Sequence, residues 1–362
     1  MVTLMDCINR IPETVEKIVE MRKSNLLPVV EYLGDNLKNV NEIVFIGSGT
    51  SNTSSVTSCR FVERASGISS VVIFPNEFLA KVAYNPNALY IFNSQSGTST
   101  LMLECQKVVK EKGYYNIGLT ENLSDNPLKV AVDVHVDMGC GYEEHGTRTI
   151  GYVSTFLTHM LLGMELGLAR GHLSQADYDA HLADLAKVPA SHKEIVAKTD
   201  KWFDDNKRKL LGYGSFAIYG GGANYGVALE GALKILEIAI RHLCVGYEID
   251  DGLHGPTMGF TRDVGIIILS EKNNAYNHKL SMGLASFGKD KFESAHIIGD
   301  DARDAMDLGF EPKGGAFSAI EYAAVLQVLS NRLAVDFGIT PKPMSEWVFE
   351  GPVYFNTHLD EE

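Results

Sequence analysis

The chain has 362 residues, of which 45% are hydrophobic and 22% charged, a composition typical of a globular protein with a sizeable core. Its 32 basic and 46 acidic side chains give a net charge of −14, which makes nucleic acid and anionic membrane poor partners. No stretch approaches the roughly 20 apolar residues that span a bilayer, and the N-terminus does not follow the plan of a signal peptide, so we expect a soluble cytoplasmic protein.

In chain order, apolar strands alternate with helices through the first half of the sequence. After an N-terminal segment with helical periodicity, strands are predicted at 42–47, 70–74, 88–94, 114–120 and 130–136. Helices are predicted from Thr50, over 76–83, from Leu101 and over about 148–168. This alternation predicts a parallel sheet covered by helices on both faces.

The second half of the chain repeats the plan of the first. The segment at 216–236 aligns with that at 44–56, with Gly222 on Gly49, and later strands recur at a nearly constant offset. An internal duplication explains this, so we expect an α/β protein with two domains, each a doubly wound parallel sheet flanked by helices. The predicted parts are an N-terminal helical segment (1–34), a first domain (35–170), a helical connector (171–208), a second domain (209–340) and a tail (341–362).

Between a predicted strand and a predicted helix, residues 93–100 read NSQSGTST, with five hydroxyl side chains, the Gln95 amide and one glycine. Ligands of open α/β sheets bind at this edge, where the helix N-terminus supplies free N–H groups. We therefore predict that neutral donors hold a phosphate here. The neutral donors are the Gln95 amide and the hydroxyls of Ser94, Ser96, Thr98, Ser99 and Thr100. Alternatively, the hydroxyls are helix N-caps, although one cap needs only one such residue.

A second hydroxyl-rich turn, GSGTSNTSS (47–55), follows the first strand. It is not a dinucleotide-binding fingerprint, since Asn52 stands where the third glycine is needed, and the chain has no GK[ST] of a P-loop. Two such turns from adjacent strands would meet in one crevice, which favours a sugar phosphate over a nucleotide. The candidate ligands in this turn are Gly49, Thr50 and Ser51.

These motifs resemble the sugar isomerase (SIS) domain, and their tandem arrangement resembles the isomerase half of glucosamine-6-phosphate synthase and the fructoselysine- and glucoselysine-6-phosphate deglycases. The likeness covers about residues 35–340 and is strongest at SQSG (94–97), ALEGALKILEI (228–238) and HGP (254–256). The resemblance implies that the phosphorylated sugar is surrounded by Ser51, Ser94, Gln95, Ser96 and Ser99. The matching turn of the second half carries Glu271 where hydroxyls are needed, which implies one sugar site per chain.

The segment GVALEGALKILEIAIRH (226–242) is predicted as one helix. Its polar positions share one stripe, formed by Glu230, Lys234, Glu237 and Arg241. Periodicity alone favours a solvated face with ordinary ion pairs. The resemblance instead implies that Glu237 is the general acid/base, which moves a proton between C1 and C2 of an open-chain sugar. Glu230 and Lys234 would tune its proton affinity in opposite directions.

His254 lies in DGLHGPTMGF (251–260). Many histidines only pack or cap, but a neutral imidazole suits the opening of a sugar ring near physiological pH. The resemblance implies that this histidine opens the ring and enters the site from a neighbouring subunit, and hence a homodimer with shared sites. The preceding loop, LCVGYEIDDGL (243–253), is about one residue longer than the resemblance implies.

A dense polar cluster lies within GYEEHGTRTIGYVSTF (141–156). Its members are Glu143, Glu144, His145 and Arg148. In one interpretation, the cluster is the acidic first turn of a helix. In the other, it lines the site, and Arg148 receives a carboxylate such as that of an amino acid attached to the sugar.

No cluster of side chains has metal-ligand spacing, and the five cysteines lack CxxC spacing, so we expect no metal and no cofactor. The chain is too short to hold a glutaminase domain as well, and its tail has only Lys342 where the synthase needs a Schiff-base lysine. We therefore expect a deglycase that acts on a 6-phosphorylated amino sugar or Amadori compound. The alternatives are an aldose/ketose or deaminating aminosugar-phosphate isomerase, and a non-catalytic sugar-phosphate sensor.

Overall fold

The computed structural model describes residues 2–121, 123–341, 355, 357 and 358, so Lys342 lies outside the described residues. The chain forms two compact units. The first-sheet unit consists of Glu13–Ala180 with Met344–Glu362, and the second-sheet unit of Met1–Pro12 with His181–Pro343. Within the described ranges, no helix is both long and apolar enough to cross a bilayer.

The first-sheet unit alternates strands and helices. Its elements are most of α1 (Leu4–Leu33), β1 (Glu42–Ile46), α2 (Thr50–Ser66), β2 (Ser69–Ile73), α3 (Pro75–Leu79), β3 (Ala88–Asn93), α4 (Thr100–Glu111), β4 (Asn116–Thr120), α5 (Pro127–Ala131), β5 (Val134–Asp137) and α6 (Thr149–Arg170). The strands pair in parallel in the order β2-β1-β3-β4-β5.

The second-sheet unit follows the same plan. Helix α7 (Gln175–Leu185) leads into it, and its further elements are α8 (Val188–Leu210), β6 (Ser215–Gly220), α9 (Ala223–Lys234), β7 (Leu243–Glu248), β8 (Val264–Ser270), α10 (Ala275–Phe292), β9 (Ala295–Gly299), β10 (Leu308–Gly309) and α11 (Ala319–Asp336). The strands are again parallel, in the order β10-β9-β8-β6-β7.

Counted along the chain within each unit, the two sheets have the same strand order, with the first strand between the second and third. The turns after the two first strands also match in detail. Gly49 caps α2 with φ 54° and ψ −131°, and Gly222 caps α9 with φ 58° and ψ −128°, conformations that favour glycine. The predicted fold class, two doubly wound parallel sheets flanked by helices, is confirmed.

The pairing of β1 with β3 determines where the predicted ligands lie. Ile46 pairs with Phe92, so the turn that enters α2 and the turn that enters α4 leave the same edge of the sheet. Strand β3 is buried along its whole length, which explains its continuous apolar run. The two hydroxyl-rich turns are therefore neighbours, as expected.

Two predicted elements are wrong in part. Residues 130–136 were predicted as one strand, but α5 occupies Pro127–Ala131 and the strand begins only at Val134. Asn126 caps this short helix by accepting a hydrogen bond from the Lys129 N–H, and Pro127 stands at its first position.

The predicted helix over 226–242 is also shorter than expected. Regular α-helix ends at Lys234, and a π-helical turn covers Ile235–Ala239. Ile240 then adopts φ 43°, and the segment that was predicted as a loop contains the edge strand β7. A π-helical turn of this kind often marks a functional position in a helix.

Candidate functional site

The turn at 94–99 is closed by bonds between its own polar groups. Ser94 is buried, and its Oγ accepts a hydrogen bond from the Gly97 N–H at 3.1 Å and lies 3.2 Å from Ser99 Oγ. Ser96 Oγ lies 2.9 Å from Thr98 Oγ1. Ser99 is the N-cap residue of α4, yet its side chain makes no capping bond. The capping alternative is therefore wrong for Ser99.

Gly97 is required where it stands. Its φ is 71°, and a Cβ atom there would lie 1.9 Å from Asn126 Oδ1. Its carbonyl also accepts a hydrogen bond from the Leu128 N–H at 3.1 Å. The start of α5 thus holds the turn from behind.

The turn at 47–51 is also closely packed. A Cβ atom on Gly47 would lie 3.0 Å from the Ser51 backbone, a tighter contact than most Cβ atoms make, so the entry to α2 leaves little room for a side chain there. Thr50 and Ser51 are half-buried in the first turn of α2, and no side chain caps that helix. Both turns thus end in the N-terminal first turn of a helix, where N–H groups and the helix dipole favour an anion.

The chain brings its last described residues to the same place. The Thr100 N–H donates to the Thr357 carbonyl at 3.1 Å, and Ser99 pairs with His358 in an antiparallel bridge. Sequence reasoning assigned no structure to these residues. Nothing local signals the contact, because the bridge joins distant parts of the chain.

Gln95 belongs to a small polar group that the sequence analysis missed. Its Nε2 donates to Glu121 Oε2 at 3.1 Å, and the Glu121 N–H donates to the Gln95 carbonyl at 2.9 Å. Arg148 Nη1 lies 3.7 Å from the same carboxylate. Glu121 directly follows β4, at the edge where β1 and β3 end, and this position was the available signal.

In the polar cluster at 143–148, Glu143 stabilises the start of a helix. The buried Glu143 carboxylate accepts hydrogen bonds from the N–H groups of Thr149, Ile150 and Gly151 at 2.5, 2.8 and 3.0 Å. Glu143 therefore caps α6, as the helix-start interpretation proposed. His145 is buried as well. Arg148 is the residue before α6, has φ 47°, and places its guanidinium near Glu121.

In the second-sheet unit, Lys234 joins the two predicted carboxylates. Its ammonium lies 2.6 Å from Glu237 Oε2 and 3.2 Å from Glu230 Oε1. The side chains of Lys234 and Glu230 are 1% and 3% exposed, so the interpretation as a solvated face is wrong for these two residues. Burial alone would lower the pKa of Lys234, but the two carboxylates raise it above its ordinary value, so the ammonium stays charged.

The other two predicted members of this region have different contacts. Arg241 follows the π-helical turn and stacks its guanidinium 4.6 Å from the centre of the Phe337 ring. His254 follows a short 3₁₀ turn (Asp251–Leu253) and is 76% exposed, with Nε2 3.9 Å from Asp250 Oδ2. In the described part of the chain, no hydrogen bond or ion pair joins His254 to Glu237.

The turn of the second-sheet unit that matches 94–99 is occupied by its own side chains. Ser318 Oγ donates to Glu271 Oε1 at 2.7 Å, and burial raises the pKa of Glu271. Ser270 Oγ donates to Asp301 Oδ2 at 2.9 Å. Acidic groups therefore stand where the first-sheet unit has neutral donors.

Among the described residues, no group of three or more His, Cys, Asp or Glu side chains has the geometry of a metal site. The cysteines at positions 7, 59, 105, 140 and 244 are free thiols.

The sequence is similar to proteins of known activity. No protein-family model matches the chain. It is 27% identical over 266 residues to the glutamine–fructose-6-phosphate aminotransferase (isomerizing) of Gloeobacter violaceus. The aligned segment covers 73% of this chain and 43% of that protein. The chain thus spans less than half the length of this relative.

Solved structures resemble almost the whole chain. A protein of Clostridium difficile provisionally described as a phosphosugar isomerase matches with a TM-score of 0.87 and 23% identity, over 98% of both chains. The C-terminal domain of glucosamine–fructose-6-phosphate aminotransferase from Francisella tularensis matches with a TM-score of 0.80 and 16% identity, over 94% of this chain and 98% of that one. These likenesses confirm the resemblance inferred from the sequence motifs. The two parallel sheets thus have the fold of SIS domains, and the sequence is similar to that of the glutamine–fructose-6-phosphate aminotransferases.

Proposed function

We propose that the chain is an enzyme that acts on the open-chain form of a 6-phosphorylated amino sugar or Amadori compound and releases its amine. The observation that carries the proposal is the contact between Lys234 and Glu237. A fully buried ammonium holds a carboxylate whose own side chain is 32% exposed. Such a carboxylate is fixed in place and open to a ligand, as a general acid/base must be.

The chemistry requires one proton to move between neighbouring carbons. Glu237 would take a proton from C1 of the open-chain ketosamine and return it to C2 through an enaminol. The product is an imine at C1, which water hydrolyses to an aldose phosphate and the free amine. One carboxylate serves both transfers, because it is the base in the first and the acid in the second.

The phosphate would bind in the first-sheet unit. Supporting this, the turn at 94–99 and the turn at Ser51 present neutral hydroxyls and the starts of two helices at one sheet edge. The matching turn of the second-sheet unit carries Glu271, which would repel a phosphate. One sugar phosphate per chain is therefore proposed.

A homodimer with shared sites would bring His254 to a second copy's sugar. In support, His254 is exposed and has no hydrogen bond or ion pair with Glu237 in the described chain. Large apolar side chains are exposed nearby in sequence, namely Ile240 (66%), Leu243 (77%) and Met258 (91%). Leu243 lies on the edge strand β7, and an exposed apolar edge suits an interface.

Arg148 would receive the carboxylate of an amino acid attached to the sugar. It is half-buried and lies next to the Gln95–Glu121 pair, one residue of which is a proposed sugar ligand. Its backbone has φ 47°, a conformation that costs free energy in a non-glycine residue and is often retained at functional positions.

A second candidate is an aldose/ketose or deaminating isomerase. It is favoured by the sequence similarity to the isomerizing glutamine–fructose-6-phosphate aminotransferases. The same proton transfer, without amine release from an Amadori compound, would interconvert a ketose and an aldose. A non-catalytic sensor is disfavoured, since binding alone has no use for a buried lysine that holds an exposed carboxylate.

The test is to incubate the protein with 6-phosphorylated fructosamines, glucosamine 6-phosphate and fructose 6-phosphate, and to follow amine release and sugar products by NMR. Amine release from the fructosamines is the expected result. Ammonia from glucosamine 6-phosphate, or interconversion of fructose and glucose 6-phosphates, would instead establish the isomerase. Binding without turnover of any of them would leave only the sensor.

Glu237→Gln is the matched control for turnover. It should retain sugar-phosphate affinity and lower kcat by about a hundredfold or more, the scale of a general acid–base group. Unchanged turnover would exclude Glu237 as the proton carrier.

A further inference from the structure

A chain of hydrogen bonds between buried side chains lies directly behind the two hydroxyl-rich turns. Its members, each 1% exposed or less, are Ser55 and Ser58 of α2, Asn93 of β3 and His159 of α6. His159 Nε2 lies 2.8 Å from Asn93 Oδ1, and Asn93 Nδ2 lies 3.1 Å from Ser55 Oγ. On the other side of its ring, His159 Nδ1 lies 3.0 Å from Ser58 Oγ.

The partners determine where the imidazole carries its hydrogen. Because Asn93 donates to Ser55 with Nδ2, its Oδ1 needs a donor, and His159 must therefore carry a hydrogen on Nε2. Burial lowers the pKa of His159 to about 3, so the ring is neutral near pH 7 and Nδ1 is an acceptor. Ser58 Oγ, which also lies 3.1 Å from a backbone carbonyl, then donates to Nδ1.

This hydrogen-bond network reaches both hydroxyl-rich turns. Asn93 immediately precedes Ser94, the buried serine of the first turn. Ser55 Oγ donates onward to the Ser51 carbonyl at 2.8 Å, in the first turn of α2. Apolar packing alone tolerates small sliding of a helix on a sheet, whereas a fully satisfied buried network selects one arrangement.

We infer that His159 is a positioning residue of the phosphosugar site. Through Asn93 and Ser55 it holds the two turns at the separation that a sugar phosphate needs. The inference rests on the proposed binding of the phosphate by the first-sheet unit. It assigns a role to a buried titratable group that touches no ligand, and it requires the ring to donate and accept at the same time.

The test compares His159→Leu, which removes both hydrogen bonds, with His159→Gln, whose amide retains a donor towards Asn93. Affinities for fructose 6-phosphate and inorganic phosphate are measured by calorimetry. We expect His159→Leu to weaken binding about ten- to a hundredfold, since supporting contacts of this kind change ligand affinity on that scale. His159→Gln should recover part of the loss. If His159→Leu does not fold, Ser58→Ala removes one bond only and should weaken binding by a smaller factor.

The matched control is His296→Leu. His296 is also fully buried and bonded on both sides, to Tyr213 Oη at 2.9 Å and the Met306 carbonyl at 2.7 Å, but it belongs to the second-sheet unit. It should lose stability and keep the affinity of the wild type. A ¹⁵N spectrum of the wild type at neutral pH should show His159 as the neutral Nε2–H tautomer.

The outcomes separate the inference from the proposed function. A wild type that binds sugar phosphate, with His159→Leu binding equally well, would overturn the positioning role alone. An equal loss of affinity in His296→Leu would also overturn it, because general destabilisation would then explain both. A wild type that binds neither fructose 6-phosphate nor phosphate would overturn the proposed phosphate site and the positioning role together.

Discussion

Among single residues, Lys234 has the most unusual environment. Its ammonium is buried between Glu230 and Glu237, so its removal would leave the Glu230 carboxylate buried without its cation. We expect Lys234→Met to lower the free energy of unfolding in urea by about 3–5 kcal/mol. The control is Lys201→Met, which breaks a pair with Asp205 that is 75% and 58% exposed and should cost less than about 1 kcal/mol.

The pH dependence of the Lys234 effect has a definite sign. The neighbouring carboxylates raise the pKa of Lys234 above its ordinary value of 10.5, against the effect of burial. A folded-state pKa above the unfolded one gives a stabilisation that is complete below about pH 10.5 and is lost as the pH rises through the folded value. The difference in stability between the wild type and Lys234→Met should therefore shrink in strong alkali. A difference that stays constant from about pH 8 to about pH 12 would contradict this linkage.

At the scale of elements, the start of α6 places a glycine against a proposed ligand. A Cβ atom on Gly151 would lie 1.9 Å from Gln95 Oε1, at the far end of a flexible side chain. Gly151→Ala should therefore displace Gln95 and weaken sugar-phosphate binding, while the melting temperature falls little or rises. Gly283 of α10 has nothing within 4 Å, so Gly283→Ala should stabilise by about 0.5–1 kcal/mol and leave binding unchanged. Equal affinities of the two variants by calorimetry would count against Gln95 as a ligand.

The elements differ in how far the sequence predicts them. Strand β3 was predictable because its apolar run is long and ends at a hydroxyl-rich turn. The π-helical turn after α9 was not, because it ends at Ile240 with φ 43°, which a β-branched residue rarely adopts and no local pattern signals. The short helix α5 does have a local signal, namely the Asn126 cap followed by Pro127.

The candidate site divides in the same way. Its hydroxyl-rich turns and the stripe of Glu230, Lys234 and Glu237 are local patterns, and the structure places each group of residues in contact. The bond between His159 and Asn93 joins residues 66 positions apart, so no spacing in the sequence could indicate it. The burial of Lys234 depends on packing and was likewise invisible to periodicity.

For the molecule as a whole, duplication gave two sheets of the same order with different turns. In one unit the turn that follows the third strand presents neutral hydroxyls, and in the other it presents Glu271, held by Ser318. The buried Lys234 and its carboxylates belong to the second-sheet unit.

Subunit exchange tests whether the active sites are shared. If His254 serves the site of a second copy, Glu237→Gln and His254→Ala chains are each inactive alone, but a mixed dimer contains one site with both residues intact. Random mixing yields half heterodimers with one of two sites restored, so about a quarter of the wild-type activity should return. Activity is measured as amine release after exchange has been verified with differently tagged chains. Verified exchange without any recovered activity would show that both groups serve from one chain or that one of them is not catalytic.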